Sequence, residues 1–193
     1  MNAPTLLRRE SESGFSLIEM VMAMLLMLIG LLALATVIGY AFMVSNKGRN
    51  ITNSKLLVTS ILEQMETLRN TNRLTFGQLS NEGDVDNSNS SQDFEGFPME
   101  FQPVSLNPGP DGIFGTTDDL VDAGTDGNYG TQDDFTNVAL GHPGYSRQII
   151  ITKLNPDLKR VQVTLRYPGD KGQVYTKVGV SYLNNDIRSN FRP

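Results

Sequence analysis

The sequence predicts an α+β protein in which one long N-terminal helix, membrane-spanning in its first half and amphipathic in its second, packs on a C-terminal antiparallel sheet of about three or four strands. Three observations carry this prediction. No charged residue occurs from Met20 to Val44, and about 25 helical residues at 1.5 Å each reach about 37 Å, enough for a hydrocarbon core of about 30 Å. Apolar residues then recur at helical spacing as far as Leu68, with no proline between Pro4 and Pro98. The last third of the chain carries three runs rich in Ile, Val, Thr and Tyr, separated by turn residues.

Residues 1–14 form a short hydrophilic leader in which Arg8 and Arg9 are balanced by Glu10 and Glu12. A secretory signal would have an apolar core of about 7–15 residues followed by a small-residue cleavage site. Here the small residue, Gly14, precedes the apolar run. Glu19 is the anomaly, because a charged residue placed centrally in a membrane span costs about 2.5–3.5 kcal/mol and intramembrane acids usually have a partner. No basic residue lies near it on the helix. Cleavage between Gly14 and Phe15 would create an α-amino group in each copy, and Glu19 of one copy would pair with the amine of the next.

The run Gly14-Phe15-Ser16-Leu17-Ile18-Glu19 after a hydrophilic leader resembles the class III signal of type IV pilins and type II secretion pseudopilins. That resemblance implies a pilin-like fold, cutting after Gly14 by prepilin peptidase (a membrane aspartyl peptidase), N-methylation of Phe15, and assembly guided by Glu19. The segments Ile29-Gly30-Leu31-Leu32-Ala33-Leu34-Ala35 and Ile61-Leu62-Glu63-Gln64-Met65-Glu66-Thr67-Leu68-Arg69 are similar to minor pilins of the type IV pilus modification (PilV-like) group. The likeness covers about the first 70 residues. Lys47, Arg49 and Lys55 compete with Arg8 and Arg9 in the positive-inside count, so the cytoplasmic leader is an implication of the resemblance and not of charge.

Beyond the span, Ile51, Val58 and Met65, together with Ile61 and Leu68 and joined by Leu57 and Leu62, lie on one helical face. A single helix from Phe15 to about Asn72 follows, of about 58 residues and about 87 Å. A hinge at Asn46-Lys47-Gly48 is the alternative. Gly30 and Gly39 each cost about 1 kcal/mol relative to alanine in a helix, which close packing or local unwinding would explain. The expected organisation is a leader at 1–14, a transmembrane and filament-core helix at 15–45, its amphipathic continuation at 46–72, and a globular β-domain at 73–193 with an acidic loop at 107–137.

Leu74 to Gln92 is rich in Asn, Ser, Gly and acid and reads as an exposed connection. Phe97 to Leu106, interrupted by Pro98 and Pro103, suits an edge strand. Ser146–Leu154, Arg160–Tyr167 and Gln173–Leu183 form an antiparallel meander, joined at Asn155-Pro156-Asp157 and at residues 168–172. One face should meet the helix stripe while Gln162, Thr164 and Arg166 point outward.

The net charge of −5 conceals blocks: 0 in the leader, +2 over residues 15–73, −13 over 74–146 and +6 over 147–193. The acidic block contains no Lys or Arg. Within it, Asp111-Gly112-Ile113-Phe114-Gly115-Thr116-Thr117-Asp118-Asp119 returns 15 residues later as Asp126-Gly127-Asn128-Tyr129-Gly130-Thr131-Gln132-Asp133-Asp134. Tight glycine turns can bring the first Asp of each copy near its final pair. Calcium takes such oxygen ligands, so Asp111, Asp118, Asp119, Asp126, Asn128, Asp133 and Asp134 are its candidate set, although the spacing departs from the EF-hand pattern. A plain solvated turn is the alternative.

With no cysteine there is neither a disulfide nor a thiolate nucleophile, and the lone His142 excludes paired-histidine metal sites. No phosphate-binding glycine motif is present, and the C-terminal basic residues lack the aromatic stripe of a nucleic-acid surface. A non-enzymatic role follows. The resemblance implies a minor pilin inserted in the inner membrane as a single-pass precursor and then displayed on a pilus at the cell surface, where it serves assembly or adhesion. Its implied partners are other pilin subunits and prepilin peptidase. A type II secretion pseudopilin and a membrane-tethered calcium-dependent binding module are the competing expectations.

Overall fold

The computed structural model describes residues 14–169 and 172–185. The leader before Gly14, and Asp170 and Lys171 of the last turn, lie outside the described residues. Helix α1 (Leu17–Asn70) is assigned without a break through Asn46-Lys47-Gly48. The chain divides into two compact units, residues 1–46 and 47–193.

In the first unit the apolar run is helical from Leu17 onward. Its start is set by Ser16, whose carbonyl accepts the N–H groups of Glu19 and Met20 at 3.0 and 3.2 Å. Its most apolar 18-residue window has a mean hydropathy of 2.8 and no buried side chain, so by length and composition it is able to cross a membrane. Thr36 turns its hydroxyl back to the Ala33 carbonyl at 2.7 Å, which removes the cost of an unpaired hydroxyl among apolar side chains.

In the second unit the helix buries Ser54, Val58, Ile61, Met65 and Leu68. Val58, Ile61, Met65 and Leu68 are the centre of the stripe that the sequence pattern predicted, Ile51, Leu57 and Leu62 flank it half-buried, and Ser54 joins it without an apolar side chain to announce it. The helix ends where Asn72 adopts a left-handed backbone at φ 54, a conformation asparagine tolerates better than most residues. Arg73 and Leu74 N–H groups then cap the Leu68 carbonyl at 3.0 and 3.2 Å.

The stripe packs on a four-stranded antiparallel sheet of β1 (Gln102–Ser105), β4 (Gly141–Asn155), β5 (Leu158–Pro168) and β6 (Val174–Asn184), in that spatial order. A two-stranded ribbon of β2 (Val121–Asp122) and β3 (Phe135–Thr136) stands beside it, followed by a 3-10 turn at Val138–Leu140. In β5 the alternation is complete. Val161, Val163 and Leu165 are wholly buried at 0% exposure, while Gln162, Thr164 and Arg166 occupy the other face. The proline-bearing strand β1 is an edge strand, as its composition demanded. At Gly179 of β6 a β-carbon would collide with Val58, so glycine is what lets the helix approach this strand.

Of the segment from Leu74 to Gln92, expected as an exposed connection, the part up to Asn81 is largely buried, while most residues from Glu82 to Gln92 are exposed. Leu74, Gln78, Leu79, Ser80 and Asn81 are buried. Their polar side chains act as backbone partners: Asn81 donates to the carbonyls of Phe97 and Ile149 at 2.9 and 2.8 Å and accepts the Ile151 N–H at 2.7 Å. Gln78 likewise reaches Asn87 and the Gln92 carbonyl at 2.9 and 2.7 Å. Lys159, only 4% exposed, extends from β5 to the carbonyls of Phe76 and Leu79 at 2.7 and 2.9 Å. Polar composition here satisfies a buried loop, the outcome that composition alone reads as solvent.

Candidate functional site

Two regions carry the residues singled out by the sequence. At the N terminus Gly14 and Phe15 precede the helix, Phe15 being 83% exposed. A β-carbon placed on Gly14 meets nothing within 4 Å. Glu19 lies in the first helical turn, and its carboxylate contacts no basic group among the described residues.

The second region is the acidic loop, where the repeated sequence folds into a repeated turn. In the first copy Asp118 Oδ2 accepts the Asp111 N–H at 3.1 Å, Asp111 Oδ1 accepts the Ile113 N–H at 2.7 Å, and Asp119 Oδ2 accepts the Gly115 N–H at 2.9 Å. In the second copy Asp133, Asp126 and Asp134 do the same for the N–H groups of Asp126, Asn128 and Gly130, at 3.3, 2.8 and 2.7 Å. The parallel extends upstream, where Asn107 and Asp122 accept the N–H groups of Gly109 and Gly124 at 3.3 and 3.2 Å. Each turn ends on a threonine hydroxyl lying 2.6 Å from the first acid of its final pair, Thr116 to Asp118 and Thr131 to Asp133. The glycines at 109, 112, 115, 124, 127 and 130 all have positive φ, which explains why the repeat is built on glycine.

The two copies differ in what they are tied to. The first is clamped on three sides: Gln64 of the helix donates to the Phe114 carbonyl at 2.7 Å, Arg73 to the Asp111 carbonyl at 3.0 Å, and Arg147 of β4 forms an ion pair with Asp119. Asp119 and Arg147 are 2% and 3% exposed. Burial raises the Asp119 pKa, and the Arg147 charge and the turn hydrogen bonds work against that rise. Asp111 is exposed as a residue, yet desolvation of its carboxyl pushes it up to about 6, with the charges of Asp118 and Asp119 adding and the Ile113 amide opposing.

The second copy has the ribbon β2–β3 behind it and one side-chain tie forward, Asn107 to the Tyr129 hydroxyl at 2.9 Å. Asp126, Asn128 and Gly130 are exposed and Asp133 and Asp134 half-exposed. Hydrogen bonds from Thr131 and Thr125 hold the Asp133 carboxyl below its usual pKa. Among the described residues no group of three or more acidic or histidine side chains converges in the manner of a metal centre. Each copy brings its three acids into one turn, and the two copies share no carboxylate. His142, the lone histidine, packs edge-on to Tyr145 at 4.5 Å between ring centres.

Sequence reasoning missed Arg147. A signal was present, since it occupies the same strand face as Tyr145 and Ile149, immediately after a block without any basic residue. Gln64 and Arg73 left no comparable mark, because both sit on the polar side of an amphipathic helix and its exit.

Residues 9–35 match the family model described as the prokaryotic N-terminal methylation motif. This motif is the class III signal of type IV pilins and pseudopilins, and it indicates a pilin-like or pseudopilin protein. The motif covers the leader end, the Gly14-Phe15 junction, Glu19 and the first part of the apolar helix, while the long helix and the four-stranded sheet are of the pilin-like α+β kind. The motif indicates a structural subunit rather than an enzyme, and a membrane-anchored precursor processed by prepilin peptidase. No curated protein sequence and no solved structure matches the chain.

Proposed function

We propose that the protein is a minor pilin, cut between Gly14 and Phe15, N-methylated on Phe15 and built into a type IV pilus through its N-terminal helix. The observation that supports this most is Glu19, one turn into an apolar helix, inside a methylation motif and without a basic partner among the described residues. An apolar environment makes an unpaired carboxylate costly, and the amine created at Phe15 by cleavage is the partner that assembly would supply. The precursor sits in the inner membrane and the β-domain faces outward on the finished fibre, serving assembly or adhesion. Likeness of residues 29–35 and 61–69 to PilV-like subunits supports the minor role.

Calcium belongs to the same proposal. Asp126, Asp133 and Asp134, with Asn128, are its candidate ligands in the second turn, because Arg147 already supplies a positive charge at Asp119. In the first turn Asp111 and Asp118 remain as ligands without it.

Mass spectrometry of the mature N terminus and analysis of sheared surface fibres test the proposal. An N-methylated Phe15 and recovery in fibres are expected. An intact Met1 on the functional protein would overturn it and favour a tethered binding module. Processing without recovery in surface fibres would replace the pilus by a type II secretion pseudopilus.

A further inference from the structure

Charge is distributed unevenly along the helix. From Met20 to Leu62 the sequence holds no acid and three bases, Lys47, Arg49 and Lys55, the first of them three residues past Val44, where the apolar run ends. At 1.5 Å per residue Lys47 lies about 4.5 Å and Asn50 about 9 Å beyond that end, against a headgroup layer of about 5–7 Å on each side of the hydrocarbon core. The acidic block is fastened farther along. Gln64 and Arg73 hold the first acidic turn, and the 17 residues from Lys47 to Gln64 correspond to about 26 Å of helix.

The sheet brings a second element to the Lys47 end. Strand β6 runs along the helix in the helix's own direction: Tyr175 stands by Lys47, a β-carbon at Gly179 would meet Val58 and Leu62, and Ser181 bonds Glu66 at 3.0 Å. The end of β5 and the start of β6 therefore lie beside the first residues after the apolar run. Asn50 donates to the Pro168 carbonyl at 3.0 Å, and the Lys47 ammonium lies 5.8 Å from the Tyr175 ring centre. Tyr175 packs in turn on Tyr167, with ring centres 6.0 Å apart. Val174, paired with Pro168, is 64% exposed. Neither strand contains an acid, and Asp170 between them is followed by Lys171. Tyrosine beside lysine, each with an apolar body and a polar tip, is a composition suited to the level of lipid headgroups.

We propose that Lys47 and Arg49, with Val174 and Tyr175 at the start of β6, form a surface that seats the β-domain on the anionic headgroups of the bilayer in which the chain is anchored. Position and charge name the occupant. The surface begins within one helical turn of a segment able to cross a membrane, its stretch of helix carries no acid before Glu63, and the acidic turn stands about three Debye lengths away at physiological salt. Each basic residue close to an anionic surface strengthens the attraction about fivefold. The docking rests on the reading of the chain as a membrane-anchored precursor and requires neither cleavage nor assembly.

The chain has no cysteine, so a single introduced one reports position. Full-length Val174→Cys and Leu154→Cys proteins are labelled with a fluorophore, Leu154 being an exposed residue at the opposite end of the sheet. Each is reconstituted in nanodiscs of phosphatidylcholine, alone or mixed with phosphatidylglycerol, that contain a lipid with a quencher on its headgroup. In the anionic discs quenching at residue 174 is expected to exceed that at residue 154 about fivefold or more. That excess should fall severalfold in phosphatidylcholine alone, at high salt, and when Lys47→Gln and Arg49→Gln are combined. The salt arm leaves the sequence intact, so a loss there is not misfolding. Equal quenching at the two positions, or an excess indifferent to lipid charge, to salt or to the double substitution, overturns the docking. Failure to enter the discs would overturn the anchor and the docking with it. Neither a mature N terminus nor fibres enter the readout, so the pilus proposal can fail while the docking stands, and the reverse.

Discussion

Arg147 and Asp119, each with a side chain only 3% exposed, form the ion pair that fixes the first acidic turn to the central strand β4. Two charges withdrawn from water persist only when each satisfies the other, and removal of one partner of a buried pair costs about 3–5 kcal/mol because the other remains buried and uncompensated. Arg147→Met is therefore expected to destabilise the β-domain by about that amount. Pairing it with Asp119→Leu should recover part of the loss, since no charge is then stranded. Denaturant unfolding of the single and double variants followed by far-ultraviolet circular dichroism measures this, and strictly additive losses would contradict the pairing.

Asn81 is the second test of buried polarity. It joins the Phe97 and Ile149 carbonyls and the Ile151 N–H, and each buried backbone group left unpaired costs about 1–3 kcal/mol. Asn81→Ala should lower stability by more than a surface substitution such as Asn89→Ala. Equal effects of the two would show that the segment after the helix is not held by this side chain.

These two residues mark where the sequence stopped being legible. The helix, its apolar stripe from Ile51 to Leu68, the strands of the four-stranded sheet and the edge position of β1 followed from periodicity and proline, because an apolar face announces its burial. A polar side chain does not, since its burial depends on which backbone groups lie opposite in the folded chain. Composition alone therefore reads Leu74 to Gln92 as one exposed connection, and the burial of Gln78 and Asn81 in its first part leaves no mark in the sequence. The acidic turns were legible as a repeat, down to which acids fold onto which copy. What distinguishes the copies was not, because Arg147 reaches Asp119 from 28 positions away.

The pH response of the first turn follows from Asp111. Its carboxyl titrates near 6 in the folded protein against an ordinary value of 3.8, so between those limits the folded state binds more protons than the unfolded one. Stability from this group is full below about 3.8 and falls as pH rises through 6. Asp133 acts in the opposite sense, contributing above its ordinary pKa and losing that contribution on acidification below it. Melting temperatures at pH 4.5 and 7 are expected to differ less favourably towards the acid side in Asp111→Asn than in the parent. An unchanged difference would remove Asp111 as the source.

Calcium, as proposed for the second turn, would bind the folded form through Asp126, Asp133 and Asp134 and so stabilise it. For extracellular sites with Kd of about 10⁻⁴–10⁻³ M, millimolar calcium would stabilise the fold by about 0.4–1.4 kcal/mol. The expected result is a modest rise in melting temperature with calcium, reversed by chelator and lost in Asp133→Asn. Equal melting with calcium and chelator, and no calorimetric heat, would leave both turns as self-satisfied acidic loops.

Glu19 separates anchoring from assembly. The apolar window after it is sufficient to span a membrane without any help from its carboxylate, and taking a charge out of the span removes a cost of insertion. Glu19→Ala should therefore enter the membrane at least as well as the parent and still be cut after Gly14. What it lacks is the acceptor for a neighbouring subunit's new α-amine, a pairing whose strength comes from the low dielectric around it. Membrane fractionation should show undiminished precursor and mature protein, while the amount recovered in sheared fibres drops severely. Glu19→Gln, which keeps the shape and loses the charge, should drop with it. Incorporation of both variants at the parental level would sink the pairing mechanism and leave Glu19 as a tolerated acid at the end of an anchor.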